Sequence, residues 1–221
     1  MWLISLLSTV ISFIFGLIFL KKTIRRPRFS NILYTLSMFM FALATFGEFY
    51  SDAFGWTASI YKLYYFSALT LVPIMAAATI YVKMPRIAGH IFLLYVVVLA
   101  GLLLYNLIPA HVSMPLLQRS GVSVGGNAMP TNVRGFSFWL SGVGGILLMV
   151  VAIWSWWSAR LAGHLLIAGG AFLMSLGGRL AAIGYAYFLP LDELFGIILI
   201  FVGVLALERR VPLFPRKAEA S

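Results

Sequence analysis

Cysteine is absent from the 221-residue chain, and charged residues make up only 10% of it. Without cysteine there is no disulfide, no thiol nucleophile and no cysteine-ligated metal site. Three histidines give poor support to a multi-histidine metal or haem site. Acidic residues are also scarce, at six in the whole chain. Each carboxylate that falls inside an apolar stretch therefore needs a physical explanation.

Apolar side chains dominate what remains, at 62% of the residues, whereas an average globular chain is about 25% charged. This composition predicts an integral membrane protein. The net charge of +10 does not indicate nucleic-acid binding, because the basic residues form short blocks between apolar runs. We therefore expect a multi-pass protein of the cell membrane with lipid around it and no nucleic-acid partner.

Apolar runs of roughly 20 residues are long enough to cross a bilayer core of about 30 Å as helices. The strand alternation of a barrel is absent. The first run lacks a basic leader and a small-residue cleavage site, so we expect it to be retained as a span. The pattern predicts an all-α, seven-transmembrane-helix bundle over residues 1–208 and a short basic cytoplasmic tail over 209–221. The predicted spans are Met1–Leu20, Ser30–Tyr50, Thr57–Val82, Gly89–Ile108, Phe136–Trp157, His164–Leu189 and Leu191–Leu207.

The basic residues predict the orientation of this bundle. They follow spans one, three, five and seven, for example at Arg25, Lys83, Arg160 and Arg209. Cytoplasmic loops are enriched in lysine and arginine. We therefore expect the N-terminus outside and the C-terminus in the cytoplasm.

Two further features bear on packing. Gly170, Gly177 and Gly184 recur every seven residues in span six, which predicts close contact with a neighbouring helix. The long external connection 109–135 is rich in Gly, Pro, Ser and Asn. It is interpreted either as a lid over an outward pocket or as a tolerated insertion.

Polar side chains inside the spans cluster toward the outer surface. A charge at membrane depth usually faces the bundle interior or water. We therefore predict an outward-facing polar cavity between spans two, three, six and seven, in which Glu48 pairs with Lys62 or Arg179. Such a cavity suits a small polar molecule or a lipid. The predicted ligand-binding residues are Glu48, Lys62, Tyr65, Arg179, Tyr185 and Asp192.

A purely structural interpretation stays open for the same residues. Ion pairs can fix the register of helices, and tyrosines are enriched at membrane interfaces. Asp192 also suits a helix N-terminus, where the helix dipole favours negative charge. No paired histidines and no Ser/His/Asp set occur in the chain, so we predict no catalytic residue, no metal ligand and no cofactor.

Residues 20–85 carry a resemblance to a known family. The basic loop KKTIRRPR is followed by FALATFGEFY, which contains Glu48, and then by YKLYYFSALTLVPIMAAATIYV with Pro73. This stretch resembles the N-terminal seven-helix sensor region of bacterial histidine kinases. The resemblance implies a receptor-like module of the bacterial inner membrane with its sensing face outside. It implies no ligand residues beyond the matching positions of Glu48 and Pro73.

The end of the chain departs from that family. After Glu208 it reads RRVPLFPRKAEAS, and Pro212 and Pro215 would break a helix that continues into an output domain. The first hypothesis is therefore a sensor that binds a small molecule or lipid and signals through a separate partner. A transporter or channel using Glu48, Lys62 and Arg179 is the alternative, although the inner half of the bundle offers few polar residues. An intramembrane lipid-modifying enzyme and a structural scaffold are further alternatives.

Overall fold

The computed structural model describes residues 2–117, 126–182, 185 and 188–208, without the side chains of residues 178, 179, 181, 182 and 208. Six stretches in it are helices long and apolar enough to cross a membrane, as expected for a multi-pass membrane protein. The elements are α1 (Trp2–Arg25), α2 (Phe29–Phe54), α3 (Ala58–Lys83), α4 (Arg86–Leu107), the short helices α5 (Met114–Leu117) and α6 (Thr131–Arg134), a π-helical turn (Phe138–Gly142), α7 (Val143–Ala159), α8 (Ala162–Ala182) and α9 (Leu189–Glu208).

Six of the predicted spans correspond to these six long apolar stretches. The fifth is a composite, because α6, the π-helical turn and α7 together form the stretch Thr131–Ala159. The predicted sixth span falls on α8, whose apolar part within the described residues is the shorter stretch Ala162–Gly177. The all-helical architecture is confirmed, whereas the count of seven spans and the orientation stay predictions.

The long helices form a closed ring. Their contacts run in the order α1, α2, α3, α7, α8 and α9, and α9 packs back against α1. Helix α4 lies outside this ring, against α3. In an apolar window of 18 residues from each helix, 72% of the α3 residues are buried but only 17% of the α4 residues. Helix α3 is thus the core element, and α4 presents most of its surface to the surroundings.

The charges separate the two ends of the ring. The end where α1, α3 and α7 finish carries Arg25, Lys83 and Arg160, and we call it the basic end. The opposite end is called the acidic end, because Glu48 lies near the finish of α2 and Asp192 near the start of α9. These names describe the molecule without assigning either end to a side of the membrane.

A tight turn joins α2 to α3 at the acidic end. Gly55 has φ of 86°, which glycine adopts without the clash of a Cβ atom. The Thr57 side chain then accepts a hydrogen bond from the backbone N–H of Ile60 and caps α3. The turn brings the last residues of α2 beside the first turns of α3, where a Cβ atom on Gly47 would lie 3.0 Å from Cβ of Tyr64.

Small residues permit the closest contacts between helices, as predicted for span six. A Cβ atom on Gly170 would lie 2.5 Å from the carbonyl oxygen of Gly196, and one on Gly177 would lie 2.7 Å from Cβ of Asp192. These two glycines therefore form the predicted seam, with α9 as its other side. Gly184 lies outside the described residues.

Candidate functional site

Glu48 is buried inside the ring, with 5% of its surface exposed. Among the described residues neither of its carboxylate oxygens has a hydrogen-bond partner. A buried charge without a partner is costly, and native structures rarely keep one without a reason. This residue is therefore the starting point for a functional site.

The closest polar neighbours of Glu48 come from two other helices. Its carboxyl group interacts with the carboxyl group of Glu193 on α9 and with the hydroxyl of Tyr64 on α3. One oxygen of Glu193 and one of Asp192 are also buried without a partner in the described part of the chain. The acidic end thus brings carboxyl groups from α2 and α9 together, although nearly 150 residues separate them in sequence.

Helix α1 adds hydroxyl groups at the same depth. Thr9 bonds to Thr45 across the α1–α2 contact, with 3.0 Å between the hydroxyl oxygens, and Phe15 stacks on Phe201 of α9. Helices α1 and α9 run in parallel. Ser8 lies seven residues before Phe15 on α1, and Glu193 lies eight residues before Phe201 on α9. Ser8 and Glu193 therefore lie at nearly the same level.

Ser5 and Ser8 share the buried face of α1, with exposed fractions of 1% and 0%. Neither hydroxyl has a hydrogen-bond partner within the described residues. We call Ser5, Ser8, Glu48, Asp192 and Glu193 the acidic layer.

An aromatic cluster covers the acidic layer on the α3 side, and we call it the aromatic roof. It consists of Trp56, Tyr61, Tyr64 and Tyr65, whose neighbouring ring centroids lie 5.2–6.2 Å apart. The three tyrosines are almost completely buried. Rings in such contact present either an apolar face or a hydroxyl group to whatever lies beneath them.

The described end of the long connection packs on this roof. Gly126 has φ of 74°, and a Cβ atom there would lie 2.8 Å from the Tyr65 ring. Ala128 and Met129 are buried, with exposed fractions of 2% and 4%. These contacts place the predicted site residue Tyr65 beneath the described end of the connection, whereas the choice between a lid and a tolerated insertion stays open.

Lys62 lies elsewhere, and its predicted pairing with Glu48 is wrong for this structure. Its ammonium group donates a hydrogen bond to the backbone carbonyl of Ile108, at 2.7 Å. Tyr61 lies one residue before Lys62 and Tyr64 lies two residues after it, and both tyrosines face the ring interior. Lys62 therefore points to the other side of α3. The cause is the helical repeat, which turns neighbouring positions to different faces.

The remaining predicted site residues are distributed around the acidic end. Asp192 packs against Gly177 and belongs to the acidic layer. Tyr185 is 49% exposed. Arg179 lies in α8 two positions after Gly177, but its side chain is outside the described part of the structure, so a pair with Glu48 stays a prediction.

Three members of the site were missing from the predicted residues, namely Glu193, Ser5 and Ser8. The spacing of Ser5, Ser8 and Ser12 on one face of the first span was the available signal for α1. For Glu193 the signal was weak, because adjacent acidic residues at a helix start also fit the helix dipole.

Buried hydroxyl groups continue from the acidic layer toward the basic end. Hydroxyl pairs join α1 to α2 at Thr23 and Thr35, with 3.1 Å between the oxygens, and α2 to α3 at Tyr34 and Thr79, at 2.9 Å. The half of the ring toward the basic end therefore contains hydroxyl pairs between neighbouring helices. A polar pathway through this half stays a prediction.

A pocket of about 450 Å³ lies at the C-terminal end of α4 and not between the helices of the predicted cavity. In the ring interior the space around Glu48, Ser5 and Ser8 is filled by side chains, as their exposed fractions of at most 5% show. Within the described residues no group of three or more His, Cys, Asp or Glu side chains is arranged to hold a metal ion. The pocket is lined by Tyr105, Asn106, Ile108, Pro109, Ala110 and Asn132.

Comparison of the chain with protein-family models, with curated proteins and with solved structures finds no match. The resemblance to the sensor region of histidine kinases therefore stays a prediction. The acidic layer is therefore the basis for a proposed function.

Proposed function

We propose that the protein is a receptor-like membrane protein that binds a small, positively charged molecule at the acidic layer and signals through a separate partner. The observation that carries the proposal is the buried carboxylate of Glu48, which has no hydrogen-bond partner in the described chain. A positively charged ligand would supply the missing partner and remove the cost of an uncompensated buried group.

The neighbours of Glu48 favour a ligand of ammonium type. Glu193 adds a second carboxyl group from another helix, and the Ser8 hydroxyl lies at the same depth. The Tyr64 and Trp56 rings form part of the roof, and aromatic faces attract ammonium groups in proteins. An ammonium group has hydrogen-bond donors only, which matches a site made of acceptors.

The closed state of the ring favours a sensor over a permanently open binding site. Side chains fill the space beside Glu48, so ligand entry requires the ring to open. A ligand that binds only the opened state shifts the population toward that state. Such a shift is the step that a separate signalling partner would detect.

Native mass spectrometry in mild detergent tests the proposal. The wild type is incubated with a series of small primary and quaternary amines, beside Glu48→Gln, Arg179→Ala and the control Asp52→Asn. Asp52 is an exposed carboxylate one turn further along α2, so its variant loses the same charge outside the ring.

We expect an amine adduct in the wild type and in Asp52→Asn, and its loss in Glu48→Gln. Loss in Arg179→Ala as well would add that residue to the site. Equal adduct formation in the wild type and Glu48→Gln, or no adduct with any amine, would refute a cation-binding site at Glu48.

A transporter is the second candidate, and the partly buried hydroxyl pairs between Glu48 and the basic end favour it. They provide polar contacts through a region that lipid-facing helices would leave apolar. The test is uptake of the amine, or of protons, into liposomes that contain the protein. Uptake that Glu48→Gln abolishes would favour transport over sensing, whereas binding without uptake would favour the receptor.

A further inference from the structure

The carboxyl groups of Glu48 and Glu193 meet inside the ring. They are within hydrogen-bonding reach of each other. Nevertheless both oxygens of Glu48 and Oε2 of Glu193 lack a partner among the described residues. An ionised carboxylate only accepts hydrogen bonds, so two of them cannot bond to each other. One added proton turns one carboxyl group into a donor and satisfies both.

The surroundings of the pair supply little else to hold two negative charges. Within the described residues, the buried face of α1 carries the hydroxyl groups of Ser5 and Ser8, and α3 contributes the hydroxyl of Tyr64. On the far side of α3, Lys62 bonds to the α4 terminus and not to the pair. Arg134 of α6 lies near Tyr61 and Tyr65, across the roof from Glu48.

The other charged groups near the pair are mostly of the same sign. Asp192 precedes Glu193 on α9, and Asp52 follows Glu48 on α2. Helix α8 carries Arg179, whose side chain is outside the described residues. Carboxylates that lie close together in a water-poor site repel each other strongly, and one of them retains its proton.

We propose that Glu48 and Glu193 form a proton-binding site, in which one proton is held between the two carboxyl groups while the ring is closed. The pair then carries one negative charge instead of two. A proton needs no cavity, which fits the filled interior around Glu48. The hydroxyl groups of Ser5 and Ser8 on α1 are also buried without a partner in the described chain.

One consequence rests on the proposed function, because it concerns the ammonium ligand. A singly charged ammonium ion can bridge the two carboxylates in place of the proton. The proton is then released to the solvent. The charge of the occupied site is the same before and after this exchange. Since proton and ligand compete, linkage requires that the affinity for the ligand decreases as the pH decreases.

Infrared difference spectroscopy of the protein in lipid membranes tests the proton site without any ligand. The C=O stretch of a protonated carboxyl group is separate from the bands of ionised carboxylates and shifts when H₂O is replaced by D₂O. The samples are the wild type, Glu48→Gln, Glu193→Gln and the control Asp52→Asn. Size-exclusion chromatography and circular dichroism confirm that each variant is folded.

We expect the protonated band at neutral pH in the wild type and in Asp52→Asn, and its loss in both Glu48→Gln and Glu193→Gln. Absence of the band from the wild type would overturn the proposal even if the variants failed to fold. A band that only one glutamate substitution removes belongs to a single carboxyl group and would also overturn it. If the proton site exists but the proposed function is wrong, the infrared band is present and native mass spectrometry shows no bound amine.

Discussion

At the residue scale, the stability of the ring depends on the protonation of one buried pair. The folded state holds a proton between Glu48 and Glu193, whereas the separated carboxyl groups of the unfolded chain release theirs into water. The folded state thus binds more protons than the unfolded state, and its stability decreases as the pH increases.

Glu48→Gln should reduce this pH dependence. The amide of the glutamine donates to Glu193 without a titrating proton, so the variant resembles the protonated pair at every pH. In the wild type the free energy of unfolding should decrease by up to about 1.4 kcal/mol per pH unit for one proton. The measurement is thermal unfolding in detergent between mildly acidic and mildly alkaline pH. Parallel curves for wild type and variant would contradict the shared proton, and Asp52→Asn controls for a lost exposed charge.

Lys62→Met gives a second prediction at this scale. The Lys62 ammonium group bonds to the Ile108 carbonyl at the end of α4 and does not face Glu48. Its removal should lower stability by roughly 1 kcal/mol, as for a typical hydrogen bond, and should leave amine binding unchanged. Thermal unfolding and native mass spectrometry measure the two effects. Loss of amine binding would return Lys62 to the site as the sequence predicted.

At the scale of elements, the contact between α3 and the stretch that contains α7 replaces a hydrogen-bond donor that α3 lacks at Pro73. Proline has no N–H group, so the carbonyl of Leu69, four residues earlier, loses its helical partner. The Ser141 hydroxyl of the π-helical turn donates to this carbonyl, at 3.2 Å. A Cβ atom on Gly144 would lie only 2.7 Å from Cα of Pro73, so the two helices are in direct contact there.

Ser141→Ala should therefore destabilise the α3–α7 contact by about 1–3 kcal/mol, because it leaves the Leu69 carbonyl buried without a donor. Ser175→Ala is the matched control, since within the described residues the Ser175 hydroxyl bonds to the Ala171 carbonyl of its own helix. Thermal unfolding of both variants against the wild type measures the difference. Equal effects of the two substitutions would mean that the Leu69 carbonyl does not depend on Ser141.

The sequence predicted those features of the helices that depend on local spacing. Hydropathy placed the apolar stretches, and the repeat of small residues placed Gly170 and Gly177 at a contact. It could not predict that Glu48 faces Glu193, because that neighbour depends on how α2 and α9 meet across the ring. The partner of Lys62 was missed for the same reason, since it is a backbone carbonyl beyond the end of α4.

At the scale of the whole molecule, the ring places the first and last described helices side by side. Helix α9 packs on α1, and Phe15 stacks on Phe201 in that contact. The acidic layer is completed only by this closure, because Ser8 lies on α1 and Glu193 on α9. Any motion that separates α9 from α1 therefore changes both the site and the basic end of the molecule.

The orientation of this ring is open to a direct test, because the natural chain contains no cysteine. Ser137→Cys and Ser158→Cys place single thiols at exposed positions at opposite ends of the Thr131–Ala159 stretch. Tyr185→Cys places one at an exposed position beyond α8. If the basic end faces the cytoplasm and α8 crosses the membrane, a membrane-impermeant maleimide should label the thiols at positions 137 and 185 in intact cells.

The thiol at position 158 should react only after the membrane is permeabilised, and the cysteine-free natural chain provides the unlabelled control. Labelling at 158 but not at 137 would reverse the orientation and place the acidic layer toward the cytoplasm. Labelling of 137 in intact cells, with 158 and 185 both protected, would mean that α8 does not cross and that the span count is six.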